Sequence, residues 1–374
     1  MKELGLYIHI PFCKKKCDYC DFLSFENKNE LIDNYIEILI NEIKNEAKKI
    51  SKEEYEITTI YFGGGTPSFI DSKYIINILE ILKENFNLNN AEITLEINPG
   101  TVDENKLRTY FKNGINRLSI GLQETNNNLL KQLGRIHVYE DFLETYNIAR
   151  KIGFKNINID LMIGIPNQTL FNVENSLEKI INLNPEHISV YSLIVEENTK
   201  LEKKILNKEY ILPEENFERK MYWNVKEKLE KNDYIQYEIS NFSKKDYESK
   251  HNLNCWNQQE YIGFGLGAHS YFNNIRYSNT DDINKYLINN EEKIIHEKQT
   301  REEQMKEYMM LGLRKIEGVS ISKFEQKFSI HPLFYFRFEI SNLEEIDLLE
   351  VDLDNIKLTK KGLDLANQVF QEFI

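Results

Sequence analysis

The stretch Leu6-Tyr7-Ile8-His9-Ile10-Pro11-Phe12-Cys13-Lys14-Lys15-Lys16-Cys17-Asp18-Tyr19-Cys20 places an apolar, β-prone run directly before three of the chain's four cysteines. Three thiols within eight residues, just past what reads as the first strand, form a donor set for a metal. Four thiolates would close a structural zinc or iron–sulfur site. Three leave one iron of a four-iron cluster without a protein ligand, and catalytic metal sites keep such a position open. The open iron can hold a substrate. A zinc site completed by His9 or a distant histidine, or three unrelated buried thiols, are the other readings. The flanking Lys14, Lys15 and Lys16 speak against the packed apolar surroundings that buried thiols prefer.

The sequences on either side of this stretch set the architecture. Up to about residue 195, β-rich runs alternate with amphipathic ones. The expected strands are Leu4 to Ile10, Ile57 to Phe62, Ala91 to Ile97, Asn116 to Leu122, Asn156 to Ile163 and His187 to Ile194. Helical spacing falls on Leu31 to Ile50, Lys73 to Asn85, Glu104 to Asn113, Tyr139 to Ile152 and Val173 to Ile181. Six strand-then-helix repeats imply a parallel sheet, open or curved. Polar or glycine-rich signals follow strand after strand: the cysteine loop, Gly63-Gly64-Gly65-Thr66-Pro67-Ser68, Glu96 with Asn98-Pro99-Gly100, Gln123, and Asp160 within the fifth strand. A site assembled from many strand ends favours an α/β fold of the (β/α) barrel kind over an open sheet, which concentrates its site at one switch point.

Three segments are expected: a barrel over 1–212, an extension and linker over 213–299, and a C-terminal α+β, winged-helix-like region over 300–374. In the middle segment Glu215 to Leu229 reads as a helix, Tyr234 to Ser240 as a strand, Tyr261 to Tyr271 as a glycine-punctuated segment, and His251-Asn252-Leu253-Asn254-Cys255-Trp256 as a loop. The last segment reads as helices over Arg301 to Lys315 and Ile321 to Phe328, a polar region, a β pair (Leu349 to Asp352, Asn355 to Leu358) and a final helix from Thr359 to Phe373.

Composition bounds the function. With 41% hydrophobic and 29% charged residues the chain is that of a globular protein, and no run approaches a membrane span. Met1-Lys2-Glu3-Leu4 does not begin a signal peptide, and a metal site in place of a disulfide framework suits a reducing compartment; the expectation is a cytoplasmic protein. A net charge of -13 makes nucleic acid an unfavourable partner.

The motifs carry distinct chemistry. The triple glycine lacks the lysine of a P-loop, but it lets a ligand approach the backbone closely, with carbonyls free to accept from an ammonium group. Arg135 offers a fork for a carboxylate, Gln123 and Asp160 suit ribose hydroxyls or adenine, and Glu96 is expected to pair with Arg135 or with an amino group. His251 is a candidate haem-iron ligand, or part of a turn anchored by Trp256. His269 is a second candidate, read as a core histidine.

Taken together, the cysteine spacing, the Gly-Gly-Gly-Thr-Pro-Ser turn, Arg117-Leu118-Ser119-Ile120-Gly121-Leu122-Gln123, Gly134-Arg135, Asp160 to Pro166 and the His251 string resemble HemN-like radical S-adenosylmethionine (SAM) proteins over essentially the whole chain. The resemblance implies an α/β partial (β/α)6 barrel, a [4Fe-4S] cluster on Cys13, Cys17 and Cys20, and SAM contacts from Tyr7, Gly64, Gly65, Thr66, Glu96, Gln123, Arg135 and Asp160. In that family the cluster passes an electron to SAM to form a 5'-deoxyadenosyl radical. Oxidases of the family carry a further cysteine two positions after the third ligand, where this chain has Phe22, and a longer segment before the motif. A His-Asn-x-x-Tyr-Trp string marks the family's haem chaperones; His251, Asn252 and Trp256 match it, with Cys255 in place of Tyr. The resemblance therefore implies a protein that binds haem and delivers it to haem-requiring membrane or respiratory proteins. The alternative is oxygen-independent decarboxylation of two propionates of coproporphyrinogen III.

Overall fold

The computed structural model describes residues 1–288 and 292–374. Six parallel strands, β1 (Lys2–Ile10), β2 (Tyr55–Gly64), β3 (Leu88–Ile97), β4 (Arg117–Gln123), β5 (Ile157–Ile163) and β6 (His187–Ser192), stand side by side in sequence order. Helices α1 (Ile32–Ala47), α2 (Ser72–Asn85), α3 (Glu104–Lys112), α4 (Asn127–Gln132), α5 (Tyr139–Ile152) and α6 (Leu170–Leu183) make the crossovers. This is the parallel strand-then-helix order expected from the repeats, closed as the partial (β/α)6 barrel that the resemblance implied.

Alternation along each strand divides two environments. In β5, Ile157, Ile159, Leu161 and Ile163 join the apolar core beneath the helices, while Asp160 and Met162 line an interior cavity. The barrel interior is polar: Thr59, Thr94, Arg117, Ser119, Asn158, His187 and Ser189 are all buried. Buried polar groups need partners, and these find one another. Asn158 donates to Ser119 Oγ at 2.7 Å, and its Oδ1 lies 2.6 Å from His187 Nδ1.

Both edges of the barrel are extended by the middle segment, whose helix α7 (Glu215–Glu230) buries Met221, Val225 and Leu229 in the same core. Of the strand expected over Tyr234 to Ser240 only β7 (Ile235–Gln236) is a strand; it pairs antiparallel with β8 (Asn241–Ser243), just past the expected run, and β8 in turn adds antiparallel to β6. The run ends where Tyr237 Oη lies 2.8 Å from His187 Nε2 and the buried Glu238 pairs with Lys315 in an isolated β-bridge. The string around His251 is a helix, α8 (Lys250–Trp256), not a loop; the Ser249 hydroxyl caps it by accepting from Asn252 N. Beyond it β9 (Tyr261–Phe264) pairs parallel with β1, and β10 (His269–Phe272), β11 (Ile275–Ser278) and β12 (Ile294–Lys298) continue antiparallel. The twelve-stranded sheet runs β12-β11-β10-β9-β1-β2-β3-β4-β5-β6-β8-β7.

A capping box at Thr300 and Glu303 starts α9 (Arg301–Gly312), the first element of a second core. There β13 (Val319–Ser320), α10 (Ile321–Phe328), α11 (Arg337–Glu345), β14 (Leu349–Val351) and β15 (Asn355–Leu358) give three helices and a three-stranded sheet, as a winged-helix-like region requires. The polar region expected between α10 and the β pair holds α11 and a one-turn helix, Pro332–Tyr335, and the final helix divides at Leu365. Helix α8 joins the two cores. His251 lies in the barrel, while Trp256 carries the Arg314 guanidinium 4.4 Å from its ring centroid.

Candidate functional site

At the C-terminal ends of the six parallel strands lies a cavity of about 440 Å³. Cys13, Cys17, Cys20, Gly64, Gly65, Thr66, Glu96, Gln123, Arg135 and Asp160 all line it. Of the site candidates singled out from sequence, Tyr7, His251 and His269 do not; His269, expected as a core histidine, is exposed instead, because it opens the β10 strand at its outer end and stacks on His296 at 5.2 Å. Tyr7 sits one layer back, its hydroxyl 3.0 Å from His9 Nδ1 and its ring stacked on Tyr61 at 6.3 Å. His251 is buried below Tyr61, their rings stacked at 5.1 Å, with Nδ1 2.9 Å from Thr59 Oγ1. Burial, then the charge of Arg117, lowers its pKa to about 4, so it is neutral.

The glycine turn is built by strand pairing. Gly65 N donates to Ile10 O at 2.9 Å and Thr66 N to Phe12 O at 2.9 Å, which prolongs the β1–β2 ladder to the cysteine loop. A Cβ on Gly65 would lie 2.9 Å from Cys13 Sγ and 3.0 Å from Phe12 O. Glycine is required there for the two loops to meet. Thr66 Oγ1 donates to Cys13 Sγ at 3.5 Å and accepts from Asn98 Nδ2 at 3.1 Å.

Arg135 reaches across the loop. Its Nη1 donates to Cys17 Sγ at 3.4 Å, its Nη2 donates to Asn98 Oδ1 and Gly121 O, and its buried Nε has no partner. Glu96 does not pair with Arg135. It accepts instead from Tyr61 Oη at 2.9 Å. Burial, with the nearby Asp160 carboxylate, holds the Glu96 carboxyl up to about 7. Burial also raises Asp160, against hydrogen bonds from Asn158 at 2.7 Å and Ser119. Gln123 has φ +76° at a register shift between β4 and β5, so a bulge ends the strand and turns this side chain to the cavity.

Sequence reasoning missed Tyr61, Ser119 and Tyr191, which line the same cavity. Their signal is weak: each is an inward position in a strand alternation that an apolar pattern does not mark.

The donor set suits a cluster better than one ion. Among the described residues no three His, Cys, Asp or Glu side chains gather closely enough for a single metal. A four-iron cube takes each thiolate at a different iron and so accepts a wider spread. His9 is not free for zinc, since Nε2 lies 2.9 Å from Leu23 O and Nδ1 is shared with Tyr7. Burial pushes the Cys20 thiol up to about 11, so a metal held by this sulfur would have to displace its proton. The orphaned Nε of Arg135 and the Gly65 cradle leave room for an anionic, amino-bearing ligand beside the thiols.

Comparison with known proteins agrees. Residues 7–180 match the radical SAM superfamily, and residues 299–365 match the HemN C-terminal domain. The heme chaperone HemW of Lactococcus lactis is 38% identical over 100% of this chain and 98% of its own length, and that of Bacillus subtilis is 37% identical over 98% of both. The solved structure of coproporphyrinogen III oxidase (HemN) from Escherichia coli superposes with a TM-score of 0.88 at 25% identity, covering 100% of this chain and 90% of that one. By end-to-end similarity in sequence and fold, the chain belongs to the HemW family within the radical SAM superfamily.

Proposed function

We propose that this protein is a haem chaperone that binds haem and hands it to a haem-requiring acceptor, such as a membrane-bound respiratory protein. Membership of the radical SAM superfamily implies a [4Fe-4S] cluster and SAM. In this reading Cys13, Cys17 and Cys20 hold the cluster and leave one iron for SAM. When bound, the cluster supplies one electron to SAM. The chain's own residues bind and orient. Arg135 takes the SAM carboxylate, the Gly64-Gly65-Thr66 backbone and Glu96 take the amino group, and Gln123 and Asp160 take the ribose or adenine. Tyr7 supports the turn through His9 and Tyr61. No helix among the described residues is long and apolar enough to cross a membrane, so delivery to a membrane acceptor would proceed by docking.

The observation that carries this reading is the end-to-end match to curated haem chaperones. The fold it shares with coproporphyrinogen III oxidase keeps decarboxylation as the second reading. Phe22, exposed on the cavity rim where oxidases have cysteine, supports the first.

An anaerobic haem titration of the cluster-loaded protein, followed by its Soret band, tests the proposal. Saturable one-to-one binding without carbon dioxide release from coproporphyrinogen is expected. Absence of binding together with decarboxylation and deoxyadenosine formation would reverse the order of the two readings. A His251→Ala variant run beside it places the haem. Weakened binding means that α8 swings out to present His251, and unchanged binding makes His251 a residue of the barrel floor.

A further inference from the structure

The ammonium group of Lys106, on α3, is surrounded by main-chain oxygens. Its Nζ donates to Ser68 O at 2.9 Å, Ile70 O at 2.9 Å and Thr101 O at 3.1 Å, with Phe69 O at 3.4 Å. An ammonium has three donors, so four carbonyls around it make the kind of shell that holds a bare monovalent cation. Lys83, on α2, is the ordinary surface case, exposed and donating to Asn113 O. Lys106 is half-buried. Burial lowers its pKa, and the carboxylates of Asp103 and Asp71 act against that.

Local preference does not favour a lysine at this position. Lys106 is the third residue of α3, capped by Asp103, and the positive end of a helix dipole disfavours a cation. The side chain carries its charge to the end of another element instead. Ser68, Phe69 and Ile70 close the helical turn Pro67–Phe69 that follows the glycines, and a helix end leaves its last carbonyls without partners. A cation is favoured there. Thr101 belongs to the turn after β3, so one ammonium ties together the turns that follow β2 and β3.

Both turns reach the cavity. Ser68 Oγ lies 2.7 Å from Thr101 Oγ1 and accepts from Asn98 N at 3.2 Å. Asn98 Nδ2 donates to Thr66 Oγ1 at 3.1 Å, and Asn98 Oδ1 accepts from Arg135. Thr66, Asn98 and Arg135 line the cavity, whereas Lys106 stands behind its wall.

We propose that Lys106 is a positioning residue, a built-in cation whose carbonyl contacts hold Thr66 and, through Asn98, Arg135 at the spacing that grips the amino and carboxylate ends of SAM together. This rests on the assignment of SAM to the cavity. Without the ammonium the four oxygens face one another unneutralised, the two turns separate, and the ligand's ends lose their common frame.

The test is equilibrium dialysis of SAM against the cluster-loaded protein, wild type and Lys106→Ala, in ammonium chloride and in tetramethylammonium chloride of equal ionic strength. Alanine vacates the space of the stem and its head. In tetramethylammonium, which has no donor, the variant should bind SAM about tenfold more weakly than wild type, the scale of one charge-assisted bond. Ammonium should recover about threefold of that loss by entering the carbonyl shell, while wild-type affinity is the same in both salts. Relative to wild type, the metal-free variant should also melt higher in ammonium. Equal SAM affinity in variant and wild type overturns the positioning role while the SAM assignment stands. A loss that ammonium recovers in neither measurement makes Lys106 a structural prop and overturns it too. Absence of SAM binding in the wild type overturns both. If Lys106→Ala does not fold or load iron, Lys106→Met replaces it, with about tenfold weaker SAM binding expected in both salts and an unchanged affinity again overturning the inference.

Discussion

Replacing Gly64 with alanine puts the glycine turn to a quantitative test. Gly64 has φ +115°, a conformation that L side chains rarely adopt, and a Cβ there would lie 2.7 Å from both Cε1 and Nδ1 of His9. The imidazole has little freedom to yield, since Nε2 is held by Leu23 O at 2.9 Å and Nδ1 by Tyr7 Oη at 3.0 Å. Backbone strain of this kind costs about 1–3 kcal/mol, and overpacking against a pinned ring another ~1–3 kcal/mol. A total of about 4 kcal/mol is expected. At roughly 2–4 °C per kcal/mol for a domain of this size, the barrel's melting temperature should fall by about 10 °C. Scanning calorimetry of the metal-free protein under argon measures it. Gly65→Ala is the internal contrast, because its φ is ordinary but its methyl meets Cys13 Sγ at 2.9 Å. Its melting point should move less, while reconstituted iron should drop. A Gly64→Ala protein within about 1 kcal/mol of wild type would refute the claim that His9 and the turn are locked together.

Cys17→Ser should leave circular dichroism unchanged and abolish cluster absorbance after reconstitution; full absorbance would remove Cys17 from the ligand set. Glu96 supplies a pH test. Its folded pKa, about 7, exceeds that of an ordinary carboxyl, so the folded state binds the extra proton between roughly pH 4.5 and 7. Metal-free stability should therefore decline as pH rises through that window, and Glu96→Gln should flatten the decline. SAM affinity, which gains from an ionised Glu96 beside a cationic ligand, should rise through pH 7 in the wild type and not in the variant. An identical pH profile for both proteins would take Glu96 out of the cavity's electrostatics.

The barrel was legible because its strands and helices carry strong local patterns. β5 alternates Ile157, Ile159, Leu161 and Ile163 outward against Asn158, Asp160 and Met162 inward, and every crossover helix except α4 has a clear apolar stripe. The short α4 escaped because only Leu129 and Leu130 of it are buried. The cysteines, the glycines and the strand-end polar residues were visible as a group through their common position after strands. Contacts made across long sequence distances were not visible. Nothing local in Glu96 says that Tyr61, rather than Arg135, is its partner. Nothing in the His251 string says that Ser249 caps it into a helix whose first turn lies under Tyr61. The strand expected over Tyr234 to Ser240 stops at Gln236, where the chain turns back into β8 and Tyr237 meets a buried partner, His187, fifty residues away.

The pairing of β1 with β9 has a consequence for synthesis. β1 meets β2 early, by residue 64, but its other neighbour ends at Phe264. At ~5–20 residues per second the ribosome needs on the order of 10–40 s to make the chain between them. Throughout that interval the strand that leads into the cysteine loop has one edge open to non-native pairing. A cluster inserted before β9 arrives would sit on a half-clasped support, so assembly machinery that waits for Phe264 would load a finished scaffold. Slowing translation between residues 64 and 264 should accordingly raise the fraction of nascent chains lost to aggregation rather than improve their folding.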